Sequence, residues 1–169
     1  MKKRIILYIA TLLLLMSCGE EKNSFIIKGT LNNLGGRPLY AVYENSDGIV
    51  VDTMRPFDGK IEMRGVSPHR TAIQLYDASW SPFMRLYLCN GERVELKGDA
   101  SLKYEIEMKG SSLNRSLWKL ICNNHTIFMQ TETSGVGVTR GSVALDKHER
   151  YTAQYDSVLI DYISRHGGN

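Results

Sequence analysis

The sequence has few of the residues that metal and redox sites require. It contains 3 cysteines and 4 histidines among 169 residues, and no two cysteines form a C-x-x-C pair. The nearest approach to a metal-binding spacing is Cys122 followed by His125, whereas a zinc site needs about four ligands. The sequence therefore argues against a metal centre, and nothing in it suggests a cofactor.

Long apolar runs and an excess of one charge are also missing. The apolar stretch at residues 5–16 is shorter than the roughly 20 residues that span a membrane. The formal net charge of +3 comes from Lys2, Lys3 and Arg4, because residues 18–169 hold 18 basic and 18 acidic side chains. A chain without a basic surplus gives no reason to expect nucleic acid as a partner.

The N-terminus has the parts of a secretory signal: a basic start, a short apolar stretch and a small residue before a cysteine. Leu15-Met16-Ser17-Cys18 resembles a lipobox, in which the cysteine becomes acylated. This predicts a signal peptide at 1–17, lipidation of Cys18, a tether at 18–23 and an acyl-chain anchor in the cell envelope. An ordinary secreted protein is the alternative.

The two glutamates that follow Cys18 resemble an export signal of Bacteroidetes lipoproteins. The resemblance favours the outer membrane, and either its periplasmic or its surface face fits.

Residues 24–110 alternate between apolar and polar side chains with a period of two, which predicts about eight short strands. Asn90-Gly91 predicts a type I′ hairpin, and Asp47-Gly48 and Asp58-Gly59 predict other tight turns. The spacing favours an antiparallel β-sandwich or a partly open barrel, mostly β in class.

The pattern changes to a helical period in the tail, residues 111–169. Apolar residues three and four apart predict one helix from about residue 111 to 128 and a second from about 143 to 165. The stretch Thr133 to Ser142 predicts a loop between them. Its Gly135–Gly141 segment looks like a phosphate loop but lacks the lysine and follows a helix, which favours an interhelical loop.

Five segments carry a resemblance to a known family: residues 25–30 (FIIKGT), 51–53 (VDT), 57–65 (FDGKIEMRG), 86–99 (LYLCNGERVELKGD) and 108–111 (MKGS), the last of which leads into Asn114. They resemble the uncharacterised β-rich domain that precedes a thioredoxin-like domain in many Bacteroidetes envelope lipoproteins. The resemblance implies no catalytic residue in this part. The family's thioredoxin-like half carries a redox C-x-x-C, which these 169 residues do not contain, so either a naturally short protein or the front part of a longer one is expected.

Trp80 is the candidate ligand-contact residue. It lies between two expected strands, in the segment 76–83. The favoured interpretation is that its ring covers the sheet edge, and the alternative is that it presents an aromatic platform to a sugar or a partner protein.

Two cysteines remain once Cys18 is acylated. Cys89 and Cys122 either form a disulfide, which an oxidising compartment permits, or stay as buried free thiols.

The chain offers no convincing catalytic constellation. Ser111 and Ser112 are better explained as helix caps than as nucleophiles. Glu105 and Glu107 are expected on one solvated strand face rather than across a cleft.

The sequence therefore favours a non-catalytic envelope lipoprotein module. Its expected partners are a membrane, reached through the lipid anchor, and a protein, a glycan or a thioredoxin-like domain. Two alternatives stay open: the front part of a longer thiol-disulfide oxidoreductase lipoprotein, and a surface glycan-binding lipoprotein.

Overall fold

The structure is a computed structural model that describes residues 20–141 and 143–166. These residues form two compact units that divide between Arg115 and Ser116. The expected signal peptide and Cys18 lie outside the described residues, so lipidation stays a prediction.

The first unit is a β-sandwich of eight strands in two four-stranded sheets. The first sheet has the order β4-β1-β7-β8, and the second has the order β3-β2-β5-β6. The predicted fold class, a β-sandwich of about eight strands followed by helices, is confirmed. The strands are β1 (Phe25–Asn32), β2 (Leu39–Asn45), β3 (Gly48–Met54), β4 (Lys60–Gly65), β5 (Thr71–Tyr76), β6 (Pro82–Leu88), β7 (Arg93–Asp99) and β8 (Glu107–Gly110).

The alternating apolar side chains meet between the two sheets. Phe25 from the first sheet and Tyr43 from the second make an edge-to-face contact, with ring centroids 5.3 Å apart. Each fully buried apolar side chain contributes about 1.5–3 kcal/mol relative to exposure. The fully buried members of this core include Phe25, Ile27, Leu31, Leu39, Met54, Ile73, Leu75, Leu86, Leu88, Val94 and Leu96.

One strand pair differs from the antiparallel arrangement that the alternation predicts. β1 lies between β4 and β7 and pairs with β7 in parallel, with Ile26 opposite Arg93. A parallel pair requires a long crossover connection, which is usually a helix. Here the connection contains the whole second sheet, which explains why no helical pattern marks it in the sequence.

The Asn90-Gly91 pair does not close a hairpin, because β6 and β7 belong to different sheets. Only Gly91 of the two has a positive φ, so the predicted type I′ turn is wrong. Asn90 instead binds Ser67 on a neighbouring loop: the Asn90 N–H donates to the Ser67 carbonyl at 2.8 Å, and the Ser67 N–H donates to Asn90 Oδ1 at 2.8 Å.

The tight turn expected at Asp58-Gly59 is confirmed. Both residues have positive φ, 50° and 70°. Phe57 and Lys60 exchange two backbone hydrogen bonds of 2.9 Å across them. This is the pattern of a type I′ turn.

The last strand is shorter than the sequence predicts. Tyr104 and Glu105 belong to a 3₁₀ helix, Ala100–Glu105, and β8 begins at Glu107. The Asp99 carboxylate starts this helix by accepting the Ser101 N–H at 2.8 Å. Glu105 and Glu107 therefore do not share a strand face.

The free edge of β6 is covered by a side chain. Asn114 Oδ1 accepts the Tyr87 N–H at 2.7 Å, and Asn114 Nδ2 donates to the Tyr87 carbonyl at 2.8 Å. Nδ2 also donates to Ser111 Oγ at 2.9 Å. The Asn114 amide thus takes the place of a peptide group from a neighbouring strand.

Three helices follow instead of two: α1 (Ser112–Asn123), α2 (His125–Thr139) and α3 (Leu145–His166). The break comes at Asn124, whose side chain donates to the Leu120 carbonyl at 2.9 Å. Such local side-chain hydrogen bonds compete with the helical ladder.

The segment predicted as a loop is largely helical, since α2 continues through Gly135 to Thr139. Packing against α3 in the second unit overrides its weak helix propensity. Phe128 contacts Tyr155 edge to face, with centroids 4.7 Å apart. A Cβ at position 135 would lie 3.3 Å from the His148 ring, so glycine suits this close approach.

Candidate ligand-binding site

The turn between β5 and β6 holds Trp80, and Asp77 determines its shape. Asp77 Oδ1 accepts three hydrogen bonds: from the Ser79 N–H at 2.8 Å, the Ser79 hydroxyl at 2.7 Å and the Ser81 N–H at 2.9 Å. The Asp77 backbone N–H also donates to the Ser81 carbonyl at 3.0 Å. Trp80 is thereby held at a φ of 60°, which is unfavourable for a bulky residue.

Trp80 lies on two tyrosines of the second sheet. Its ring stacks on Tyr40 with centroids 4.6 Å apart and planes 3° from parallel, and it contacts Tyr76 at 5.7 Å. Tyr40 and Tyr76 are direct cross-strand neighbours. These three rings are called the Trp80 platform below.

The Trp80 platform is partly open to solvent. Trp80 is 53% exposed although it covers Tyr40. The ring covers Tyr40 of the sheet and also has an exposed surface, and its contact with a ligand stays a prediction.

The platform belongs to the outer face of the second sheet. Tyr40 stands between buried Leu39 and Ala41, so its side chain points away from the core. Val51 on β3 points to the same side and is 55% exposed. Trp80 and Val51 therefore both expose apolar surface on this side of the sheet.

A cleft of about 280 Å³ lies beside the same turn. Its polar lining comes from Asn33, Arg37, Asp77, Ser79 and Ser101, and Phe83 is among its apolar lining residues. Arg37 Nε donates to the Leu34 carbonyl at 3.1 Å, which orients the guanidinium. One turn thus supplies an aromatic ring to the platform and a carboxylate to the cleft.

Two carboxylates at this end of the unit stay ionised: Asp77, which lines the cleft, and Asp99, which precedes the lining residue Ala100. Burial alone would raise the pKa of Asp77, but the hydrogen bonds from Ser79 and Ser81 and the charge of Arg37 outweigh it and hold the pKa below its ordinary value. At Asp99, the hydrogen bonds from the Ser101 hydroxyl and N–H lower the pKa. Asn33 Nδ2 donates to Asp99 Oδ2 at 2.6 Å, which links the β1–β2 loop to the end of β7.

No protein-family model matches this chain, and no curated protein matches it either. The functional assignment therefore depends on the geometry of the site. Among the described residues, no helix is long and apolar enough to cross a membrane.

Cys89 and Cys122 are both free thiols in the structure. Burial raises the pKa of Cys89 first, and a hydrogen bond to Glu92 and its charge raise it further. Cys89 Sγ lies 3.5 Å from Glu92 Oε2, and Arg70 binds the other Glu92 oxygen at 3.0 Å. Burial also raises the pKa of Cys122. Both sulfurs favour the protonated, unreactive form.

The residues weighed for other chemistry take structural positions. Ser111 Oγ accepts from Asn114, and Ser112 begins α1. His125 Nδ1 lies 3.2 Å from the Cys122 carbonyl, not from its sulfur. Within residues 20–141 and 143–166, no group of three or more histidine, cysteine, aspartate or glutamate side chains could hold a metal ion.

The helical unit contains a serine–histidine pair that the sequence analysis missed. Ser134 Oγ lies 2.9 Å from His148 Nδ1 and donates to the Thr131 carbonyl at 3.0 Å. Ser134 is buried, and its proton already has an acceptor in its own helix. The pair joins α2 to α3, and its separation of fourteen residues gives no recognisable motif.

Sequence reasoning found Trp80 but missed its neighbours. Tyr40 and Tyr76 look like ordinary strand residues, and Arg37 lies in a loop without a motif. The signal that was available is Asp77-Ala-Ser79, since an aspartate two residues before a serine favours an Asx turn.

Proposed function

We propose that this chain is a lipid-anchored binding module of the cell envelope that holds a glycan on the Trp80 platform. The observation that carries the proposal is the combination of a strained backbone and an exposed ring at Trp80. A strained φ costs about 1–3 kcal/mol and persists where the surrounding structure enforces it, commonly at functional sites. The Asp77 hydrogen bonds enforce it here, and they present an apolar ring to solvent.

A sugar fits this surface better than a peptide does. One face of a pyranose ring consists of C–H groups, which pack flat against an aromatic ring, while the hydroxyls at its rim need hydrogen-bonding partners. The platform offers a flat ring, and the adjacent cleft offers Arg37, Asp77 and Asn33. A protein interface would instead need a larger surface, on the order of 800 Å² per partner, with few acidic residues in its core.

The proposal assigns no catalysis to the module. Asp77 and Asp99 each accept several hydrogen bonds that shape a loop. Their lowered pKa values make them poor general acids at neutral pH. They are suited to hold loops and to accept hydrogen bonds.

The anchor and the thioredoxin-like resemblance belong to the same proposal and have a separate test. The intact mass of the protein extracted from its native membranes should equal residues 18–169 plus acyl chains. A mass larger by a whole domain would favour the oxidoreductase alternative, and a mass without acyl chains would rule out the anchor.

The glycan proposal is tested by binding on an array of plant, bacterial and host polysaccharides, with affinities measured by calorimetry. Trp80→Ala should weaken binding at least about tenfold, since loss of one aromatic stack removes about 0.5–1.5 kcal/mol beyond the loss of contact area. Phe57→Ala is the matched control, because Phe57 is 85% exposed and lies in the β3–β4 connection.

Glycan binding that survives Trp80→Ala unchanged would overturn the proposal. So would the absence of binding to every glycan on the array. Equal losses in Trp80→Ala and Phe57→Ala would show that exposed aromatics contribute without a defined site.

A further inference from the structure

We infer that the cleft beside the turn is a second sugar subsite, in which Arg37 and Asp77 recognise two adjacent hydroxyls of a neutral sugar unit. The inference rests on the proposed function and extends it from a platform to a two-subsite groove. The platform stacks one unit of the glycan, and the cleft binds the next.

Asp77 supplies the acceptor. Its three side-chain hydrogen bonds all end on Oδ1, which leaves Oδ2 with acceptor capacity. Its lowered pKa keeps the group a carboxylate at neutral pH. An ionised acceptor makes stronger hydrogen bonds than a neutral one, so it suits a hydroxyl donor.

Arg37 supplies the donor beside it. Nε donates to the Leu34 carbonyl at 3.1 Å and Nη2 lies 3.5 Å from the Asn33 carbonyl. The guanidinium group is therefore oriented before a ligand binds, and Nη1 can still donate hydrogen bonds. Arg37 and Asp77 both line the cleft, and the positive charge of Arg37 helps to lower the pKa of Asp77.

Adjacent hydroxyls match this pair of groups. A hydroxyl both donates and accepts, so one can donate to Asp77 Oδ2 while its neighbour accepts from Arg37. The apolar lining, including Pro38 and Phe83, suits the C–H face of the same ring. A single hydroxyl would leave one of the two charged groups without a partner on binding, which is unfavourable.

The charges favour a neutral ligand. The charged residues of the lining are Asp77 and Arg37, whose opposite charges cancel, so the cleft has no net charge with which to attract a phosphate or a uronic acid. At about 280 Å³ the cleft is slightly smaller than the pockets of about 300–1,000 Å³ that hold drug-sized ligands. One sugar unit is therefore the expected occupant.

The test compares chain lengths of neutral oligosaccharides of glucose, mannose, galactose and xylose, from one to six units, by calorimetry with the full chain. Two subsites predict that a short oligosaccharide binds at least about tenfold more tightly than its monosaccharide. Arg37→Gln and Asp77→Asn should remove this gain. Asp77→Asn keeps an oxygen at Oδ1 for the turn, and Trp80 fluorescence checks that the platform is intact.

Arg55→Gln is the matched control, because Arg55 is an exposed arginine outside the lining of the cleft. If Trp80→Ala abolishes binding while Arg37→Gln and Asp77→Asn bind like the unaltered protein, the subsite is refuted and the glycan platform stands. If none of the sugars binds the unaltered protein, the subsite is refuted as well, and a negative polysaccharide array then refutes the proposed function separately. Loss of the length gain in Arg55→Gln would also overturn the inference.

Discussion

Replacement of Asn114 by alanine should destabilise the β-sandwich although it removes no apolar contact from the core. Asn114 is 2% exposed, and its amide satisfies both the N–H and the carbonyl of Tyr87 on the edge of β6. Each buried polar group left without a partner costs about 1–3 kcal/mol. Because Tyr87 is only half-buried, water can replace part of this loss.

We therefore expect Asn114→Ala to lower the free energy of unfolding by about 2–3 kcal/mol. For a chain of this size that corresponds to a fall in Tm of about 4–12 °C. Asn123→Ala, at an exposed asparagine of the same helix, should change the free energy by less than about 0.5 kcal/mol. Thermal unfolding followed by circular dichroism measures both.

Asn114→Asp tests the two hydrogen bonds to Tyr87 separately. The aspartate keeps the acceptor for the Tyr87 N–H but, when ionised, has no donor for the Tyr87 carbonyl. Its loss of stability should be larger at pH 7 than at pH 4, where protonation returns a donor. Amide exchange at Tyr87 should be faster in Asn114→Ala, which removes the acceptor of the Tyr87 N–H. Unchanged exchange, or an Asn114→Ala variant as stable as the control, would refute the role of Asn114 as an edge cover.

Three further predictions concern the sandwich. Gly65→Ala places a Cβ within the ring of Phe25, so it should lower the free energy of unfolding by about 1–3 kcal/mol through overpacking. Adding Phe25→Leu to the same chain should recover part of this loss in thermal unfolding. Losses of stability that simply add in the double variant would contradict the clash. Cys89 should react with iodoacetamide at pH 7.5 more slowly than a peptide thiol, because burial and Glu92 raise its pKa. Glu92→Gln should speed the reaction. An unchanged rate would show that Glu92 does not cause the raised pKa. The folded-state pKa of Asp77 lies below the unfolded value of about 3.9, so its contribution to stability is present above that value and is lost as the pH falls through the folded pKa. Asp77→Asn should therefore flatten the loss of stability between about pH 5 and 2, and an identical acid profile would show that the ionised form adds nothing.

The sequence predicts the strands well because their alternation follows directly from burial. Ile61 and Met63 alternate with charged residues on β4, and both are buried as expected. It predicts strand pairing poorly, because Asn90-Gly91 favours a hairpin locally while the core places β6 and β7 in different sheets. The helical tail is predicted poorly for a similar reason. Gly135 favours a loop locally, and only its close packing against His148 in the folded unit explains why the helix continues through it.

The binding site was only partly predictable for a related reason. Trp80 stands out because it is an aromatic residue between turn formers. Tyr40 and Arg37 become neighbours of the same turn only when β2 and β5 pair, and no local pattern encodes that pairing. Chain topology, rather than any motif, assembles the cleft and the platform.

The parallel pairing of β1 with β7 has a consequence for how the domain forms. Five strands separate the two in the chain, so β1 can pair with β4 early but must wait for β7 on its other side. The hairpins of the second sheet, β2–β3 and β5–β6, depend only on neighbouring residues and can form first. The strand at Phe25–Asn32 therefore stays half-paired until residue 99 has been synthesised and is available to pair. This makes β1 the segment that most needs protection from aggregation before folding is complete.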